Sequence, residues 1–233
     1  MRTEGELLSG ELLIEGRLID ASNATLFGVI KTDISTEVNV VYKPIAGERP
    51  LWDFTTGNLA SREVAAYLVS QVAGFHCVPT TVLRDGPFGV GAVQEWIHSN
   101  SELDVISLAQ SENQAIRNMA LFDVVINNTD RKFGHILPMS HDEVLGCDHG
   151  VSFHEDFKLR TVLWQFAGKE LTDTELSQLE RLRQWIYAEG DPLLSTLLTK
   201  EEIAALAERT IKLSKDGFPF PSEDWPAIPW PPV

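Results

Sequence analysis

Apolar and polar residues alternate in short runs through the first hundred positions, whereas helical spacing governs most of the remainder. Glu11–Glu15 reads as a strand ending at Gly16. Arg17-Leu18-Ile19 then leads into the turn-rich Asp20–Ala24, and the β-branched and aromatic runs Thr25–Lys31 and Val38–Lys43 predict a meander. Pro44 restricts Lys43 to extended backbone, so no helix runs through it. Asn58 or Gly57 can cap a helix over Leu59–Ala73 that Gly74 stops. Leu59, Glu63, Ala66, Tyr67 and Ser70 share one face of it, and a carboxylate on an inward face calls for a cation. Val78–Leu83 and Gly91–Ile97 add two strands around Arg84–Gly89, giving a small antiparallel sheet with one helix.

Ser111-Glu112-Asn113-Gln114 has the form of a capping box and opens a helix through Ile116, Met119, Phe122 and Ile126 that is apolar nearly all round, which predicts a central, buried helix. It ends in the polar loop Asn127-Asn128-Thr129-Asp130-Arg131-Lys132-Phe133-Gly134-His135. Short strands follow within Ile136–Met139 and Glu143–Phe153, then helices over Asp173–Glu189, behind Thr172, and Lys200–Lys215. From Phe218 to Val233 prolines recur too often for a helix, and two Trp and two Phe predict a segment packed along the protein's own surface. No internal repeat is evident.

The 233 residues suffice for one large domain or two lobes sharing a cleft, divided on this pattern into 1–98, 99–217 and the extended tail 218–233. Hydrophobic content of 43% and charged content of 23% fit an ordinary globular protein. With 19 Lys and Arg against 34 Asp and Glu, the formal charge of −15 argues against a nucleic-acid partner or an anionic lipid surface. No run is apolar enough for a transmembrane segment, and the acidic start lacks a signal-peptide core, so the expected location is cytoplasmic. Cys77 and Cys147 alone exclude a disulfide framework and a thiolate zinc site.

What remains to be explained is an ordered series: Lys43 ending a strand, Glu63 on the next helix, Asp130 after the buried helix and Asp148 before Gly150. Phosphoryl transfer needs these parts: a Lys to neutralise phosphates, a Glu to hold it, an Asp to take a hydroxyl proton and a second Asp for a metal. Each alone has a plainer reading. Lys43 and Glu63 would make a surface ion pair worth about 0 to 1 kcal/mol, and Asn-Asn-Thr-Asp is turn chemistry in its own right. Jointly, those plain readings leave the order unexplained.

Val41-Tyr42-Lys43-Pro44, Arg62–Tyr67, Gln94-Glu95-Trp96-Ile97, Phe122–Lys132 and Cys147–Phe153 together resemble the protein-kinase-like superfamily, and within it the phosphatidylinositol 3-/4-kinase-like branch with its small bacterial relatives. The likeness runs in order from about Arg17 to Phe153. It implies an α+β, two-lobed protein-kinase-like fold, with a small antiparallel β N-lobe carrying one helix and a mostly helical C-lobe. ATP would lie between the lobes, with Mg²⁺ or Mn²⁺. Lys43 would meet the phosphates and Glu63 pair with Lys43; Glu95, Trp96 and Ile97 would offer backbone groups to adenine. Asp130 would act as base and Asp148 as metal ligand. The acceptor would be a protein or small-molecule hydroxyl, or a lipid.

Two departures stand out. His135 occupies the place of the family's second metal ligand, an Asn; it would ligate metal, bond a phosphate or hold the loop, and imidazole suits Mn²⁺ better than Mg²⁺. The phosphate-covering turn is poor in Gly, which assigns that work to backbone amides and to Ser22, Asn23 and Thr25. A nucleotide-binding pseudokinase and an adenylyl transferase are the alternatives on the same fold. A metallohydrolase using His135, His149 and His154 lacks a helix-borne zinc spacing. Arg131 and Lys132 read either as positioning residues for Asp130 or a phosphate, or as a solvated pair.

Overall fold

The computed structural model describes residues 1–18, 23–31, 37–188 and 192–233. A short helix α1 (Glu4–Leu8) precedes five antiparallel strands: β1 (Glu11–Arg17), β2 (Leu26–Lys31), β3 (Glu37–Pro44), β4 (Thr81–Gly86) and β5 (Gly89–Glu95), in the spatial order β1-β2-β3-β5-β4. Helix α2 (Leu59–Ala73) crosses over between β3 and β4. The other side of the molecule is mainly helical. It contains α3 (Val105–Ala109), α4 (Gln114–Ile126), the two-stranded β6 (Ile136–Pro138) and β7 (Val144–Gly146), α5 (Asp173–Tyr187), α6 (Leu194–Leu197) and α7 (Lys200–Asp216). Among the described residues no helix is long and apolar enough to cross a membrane.

Strand alternation in β3 aims the key lysine. Val38, Val40 and Tyr42 are buried on one face, in a small core with Leu7, Leu12, Ile30, Val82 and Val93; Lys43, one step out of phase, points to the opposite face. Close approach of β5 to that strand depends on Gly91, where a Cβ would come within 2.5 Å of the Lys43 carbonyl oxygen. Helix α2 begins where the Asn58 side chain accepts the Ser61 amide at 2.7 Å, a cap worth roughly 1 kcal/mol, and ends at Gly74 in the left-handed conformation. Its inward face buries Glu63, Ala66, Tyr67 and Ser70 against the main core.

That core is built around α4, whose Ile116, Met119, Leu121, Phe122, Val125 and Ile126 are all inaccessible, as the uninterrupted apolar pattern predicts. The cap differs from the expected one. Asn113 rather than Ser111 starts α4, its side chain accepting the Ala115 amide, while the Ser111 hydroxyl donates to the Leu108 carbonyl at the end of α3. Thr172 and Thr199 do form capping boxes, with Glu175 and Glu202. The expected strand over Glu143–Phe153 is regular only through Gly146, because Asp148 and Phe153 take positive φ of 61° and 67° and break the extended run. Ser22 and the end of the expected helix at Glu189 lie outside the described residues.

Candidate active site

The loop leaving α4 is tied at nearly every residue. Asn127 turns the chain with φ of 54°; its side-chain amide donates to the carbonyls of His154 and Asp156, and its Oδ1 accepts the Lys158 amide. Asn128 donates to Asp123 Oδ1 at 3.0 Å and accepts the Asp130 amide at 3.0 Å, setting the backbone from which the Asp130 carboxylate projects. Thr129 bonds the Val151 carbonyl through both its amide and its hydroxyl. Arg131 does not sit in solvent: it is 0% exposed and pairs with Asp123 at 2.8 Å. Its remaining donors reach the carbonyls of His135 and Cys147 and, at 2.7 Å, His149 Nε2. One guanidinium thereby joins α4, the loop and the segment bearing Asp148. Lys132 is the half of the pair that turns outward, with Nζ 3.4 Å from Asp130.

On the sheet side, Lys43 Nζ donates to Glu63 Oε1 and, at 2.7 Å, to Asp148 Oδ1. Glu63 uses its other oxygen to accept the His149 amide at 2.9 Å, which orients the backbone immediately after Asp148. Gly150 lets that turn pass α2, since a Cβ there would lie 3.0 Å from Leu59 Cβ. Across the cleft, a single-turn 3-10 helix over Phe133–His135 brings His135 Nε2 to 3.5 Å from Asp148 Oδ2. Asp130, His135 and Asp148 thus offer one ligand atom each within 4.8 Å of one another. His135 Nδ1 is buried without a partner among the described residues. Two carboxylates and an imidazole so placed fit a divalent cation, with the imidazole favouring Mn²⁺ over Mg²⁺.

The charges at this site are shifted in complementary directions. Burial alone would lower Lys43, but the Asp148 and Glu63 carboxylates outweigh it and hold the ammonium above its ordinary value. Asp148 is held below the usual carboxylate range by the Lys43 charge, against the partial desolvation of a carboxylate that is half-exposed to the cleft. Asp130 moves the other way, raised chiefly by burial and held in check by Lys132 and His135. Burial likewise lowers His135, and pushes His149 well below the ordinary imidazole range with the help of Arg131 and Lys43. Burial raises the Cys147 thiol to about 11, so the cysteine beside Asp148 carries no reactive thiolate.

Lys43, Glu63, Asp130 and Asp148 line one cleft cavity, and Asn23 and Thr25 line it too. Asn23 Oδ1 is occupied by the Arg49 amide at 2.9 Å. Glu95, Trp96 and Ile97 are not among the residues lining this cavity. The Glu95 amide donates to Thr80 and the Trp96 amide to Asn39, both at 2.9 Å, while the Trp96 ring stands edge-on to Phe27 at 5.1 Å. Glu48 was not singled out from the sequence. It lines the cavity and accepts the Leu59 and Ala60 amides at the start of α2, and a lone acidic residue between prolines gives no signal of that role. Asp123 likewise lay unassigned within the apolar helix; a carboxylate in so apolar a run was the available clue.

No family model matches the chain. Protein Rv2133c of Mycobacterium tuberculosis is 38% identical across 97% of this chain and 93% of its own length. Phosphatidylinositol 4-kinase gamma 4 of Oryza sativa subsp. japonica is 27% identical over 71% of this chain, which spans 33% of that protein. Among solved structures, hydra Fam20 with sugar superposes with a TM-score of 0.56 at 15% identity, covering 91% of this chain and 86% of that one. The Golgi casein kinase with Mn and ADP bound also gives 0.56, at 14% identity over 91% and 74%. These likenesses show the fold: a mixed α/β, kinase-like architecture with a five-stranded antiparallel sheet.

Proposed function

We propose that this chain, which belongs to the same family as Protein Rv2133c of Mycobacterium tuberculosis and has a protein-kinase-like fold, is an ATP- and divalent-metal-dependent phosphotransferase. The observation that carries the reading is the convergence of Lys43, Glu63, Asp148, His135 and Asp130, drawn from four separate segments of the sequence, on one cleft. Coincident surface charges have no reason to meet in that order.

Asp148 and His135, with Asp130 beside them, would hold the cation, which when bound supplies positive charge to the phosphates. Lys43 adds a fixed ammonium, kept in place by Glu63. Asp130, raised above the ordinary carboxylate value, is the better acceptor for a hydroxyl proton. The acceptor oxygen bonds the γ-phosphorus, the bond from that phosphorus to the β-bridging oxygen breaks, the proton passes to Asp130 and ADP leaves. With the Glu95 and Trp96 amides already donating within the protein, Ile97 is the position of that trio left to offer adenine a donor. Asn23 and Thr25, which line the cavity, belong to the phosphate-covering turn in this reading. Kinship with the phosphatidylinositol-kinase-like branch is part of the same reading, supported by the rice kinase match, as is a cytoplasmic location.

A nucleotide sensor without transfer is the second reading, motivated by imidazole in place of an amide at position 135. One autolabelling experiment with α- and γ-labelled ATP, in Mg²⁺ and in Mn²⁺, separates the possibilities. Transfer of γ-label alone, lost in Asp148→Ala, is expected. Transfer of α-label means adenylylation, and ATP binding without either means a sensor. No ATP binding under any metal condition overturns the reading.

A further inference from the structure

Six of the sixteen residues from Phe218 to Val233 are proline, yet the segment is firmly attached. Phe218 is buried and exchanges backbone hydrogen bonds with Gly168 and Lys169 at 3.0 Å each. Further on, the Ala227 carbonyl accepts the Thr161 amide at 3.0 Å and Trp164 Nε1 at 2.7 Å, and the Pro232 carbonyl accepts the Phe133 amide at 2.8 Å. The Trp225 ring covers Lys158 Nζ at 5.2 Å and Arg160 Cζ at 5.5 Å. It also lies 6.5 Å from Trp52, in the loop between β3 and α2, whose ring meets the same Lys158 Nζ at 5.5 Å.

Where the segment lies matters more than how tightly. Arg131 and Thr161 form a parallel bridge, the Arg131 amide donating to Arg160 and the Val162 amide to Arg131. Phe133, three residues from Asp130, and Thr161, on the segment bridged to Arg131, are therefore edge donors where an extended polypeptide entering the catalytic loop would find backbone partners. Both donors are already taken by the proline-rich segment. Its prolines restrict the free chain in advance, so holding it there costs little conformational entropy, and an incoming peptide gains no hydrogen bond by replacing it.

We propose that residues 225–232 are a built-in wall on the acceptor side of the catalytic loop, which confines phosphoryl transfer to hydroxyls of free small molecules and excludes extended polypeptide acceptors. The acceptor class rests on the phosphotransferase reading above, with the acceptor oxygen gaining the γ-phosphoryl group, losing its proton and releasing ADP. The occupied edge does not.

The test uses the full chain and the double variant Trp164→Phe, Trp225→Ala, which removes one donor and one aromatic anchor while leaving the catalytic cleft intact. Hydrogen exchange is measured at Phe133 and Thr161, with α4 and α7 as internal controls of folding. Labelled γ-phosphate transfer is measured to a degenerate Ser/Thr/Tyr peptide library and to a panel of glycerol, ribose, serine and myo-inositol. Slow exchange at both amides in the native chain, rising about tenfold or more in the variant together with new peptide labelling, is the expected result. Equal exchange in the two proteins overturns the wall, as does peptide labelling by the native chain at the variant's rate. So does a variant that frees both amides and transfers to small hydroxyls but still not to peptides. If neither form transfers phosphate to anything, the phosphotransferase reading fails on its own account and exchange still decides whether the edge is occupied.

Discussion

Two ion-pair networks of nearly the same composition meet at His149, and only one of them is open to the cleft. Arg131 and Asp123 are sealed, each side chain 0% exposed, and the donors of Arg131 all end on fixed groups: a carboxylate, two carbonyls and an imidazole nitrogen. Lys43, Glu63 and Asp148 are graded instead, with side chains 21%, 3% and 50% exposed. A cation whose partners are all buried holds a structure together. One whose second partner faces the cleft can exchange that partner for a ligand. Chemically similar pairs thus separate by burial alone into a sealed pair and one open to a ligand.

The sharpest way to break this contrast is Asp123→Ala. It leaves a fully buried guanidinium without its counter-charge, and a stability loss of about 3–5 kcal/mol is expected in urea denaturation; a loss below about 1 kcal/mol would mean that the sealed pair is no keystone. Asp148→Asn should do the opposite. Being half-exposed, it should change stability by no more than about 1 kcal/mol, while γ-phosphate transfer falls about a thousandfold, some 4 kcal/mol of transition-state stabilisation. His135→Asn should shift the metal preference from Mn²⁺ toward Mg²⁺ with transfer changed by about tenfold or less, read from metal titrations of the same assay; unchanged preference would remove His135 from the cation site.

The smallest effect concerns pH. His149 Nε2 faces an Arg131 donor at 2.7 Å and so must act as acceptor in a neutral ring. Its pKa lies below the unfolded value of 6.5, so the unfolded chain binds the extra proton first. His149 therefore costs nothing above pH 6.5 and destabilises the fold progressively as pH falls below it. His149→Gln, which keeps an acceptor and does not titrate, should flatten the decline of urea-midpoint stability between pH 6.5 and 4.5. An unchanged slope would assign the acid sensitivity to other groups.

Much of this was legible along the chain, and the parts that were not share a cause. Helices α2, α5 and α7 are long enough for their periodicity and caps to declare themselves. Helices α1 and α3, of five residues each, are shorter than two turns and left no periodic trace. The Ser111 box was a local signal overridden when that hydroxyl found the Leu108 carbonyl one turn back. Lys43, Glu63, Asp130 and Asp148 were identifiable from their order and surroundings, and the structure gathers them. Arg131 was left between a positioning and a solvated reading, because the partner that buries it lies eight residues back inside an apolar helix.

By itself, then, the sequence determined the strand alternation that aims Lys43 away from Tyr42, the limits of α2, the buried character of α4 and the ordered series Lys43, Glu63, Asp130 and Asp148. These depend on neighbours within a few positions, which any reading of the chain can see. Tertiary structure alone decided which charges are sealed and which face the cleft, that the Glu95 and Trp96 amides are engaged elsewhere, that Glu48 caps α2, and that the proline-rich segment lies against the loop that follows α4. Each of these turns on contacts beyond the reach of local periodicity, and burial, which sets the strength of every charge here, is a property of the assembled fold.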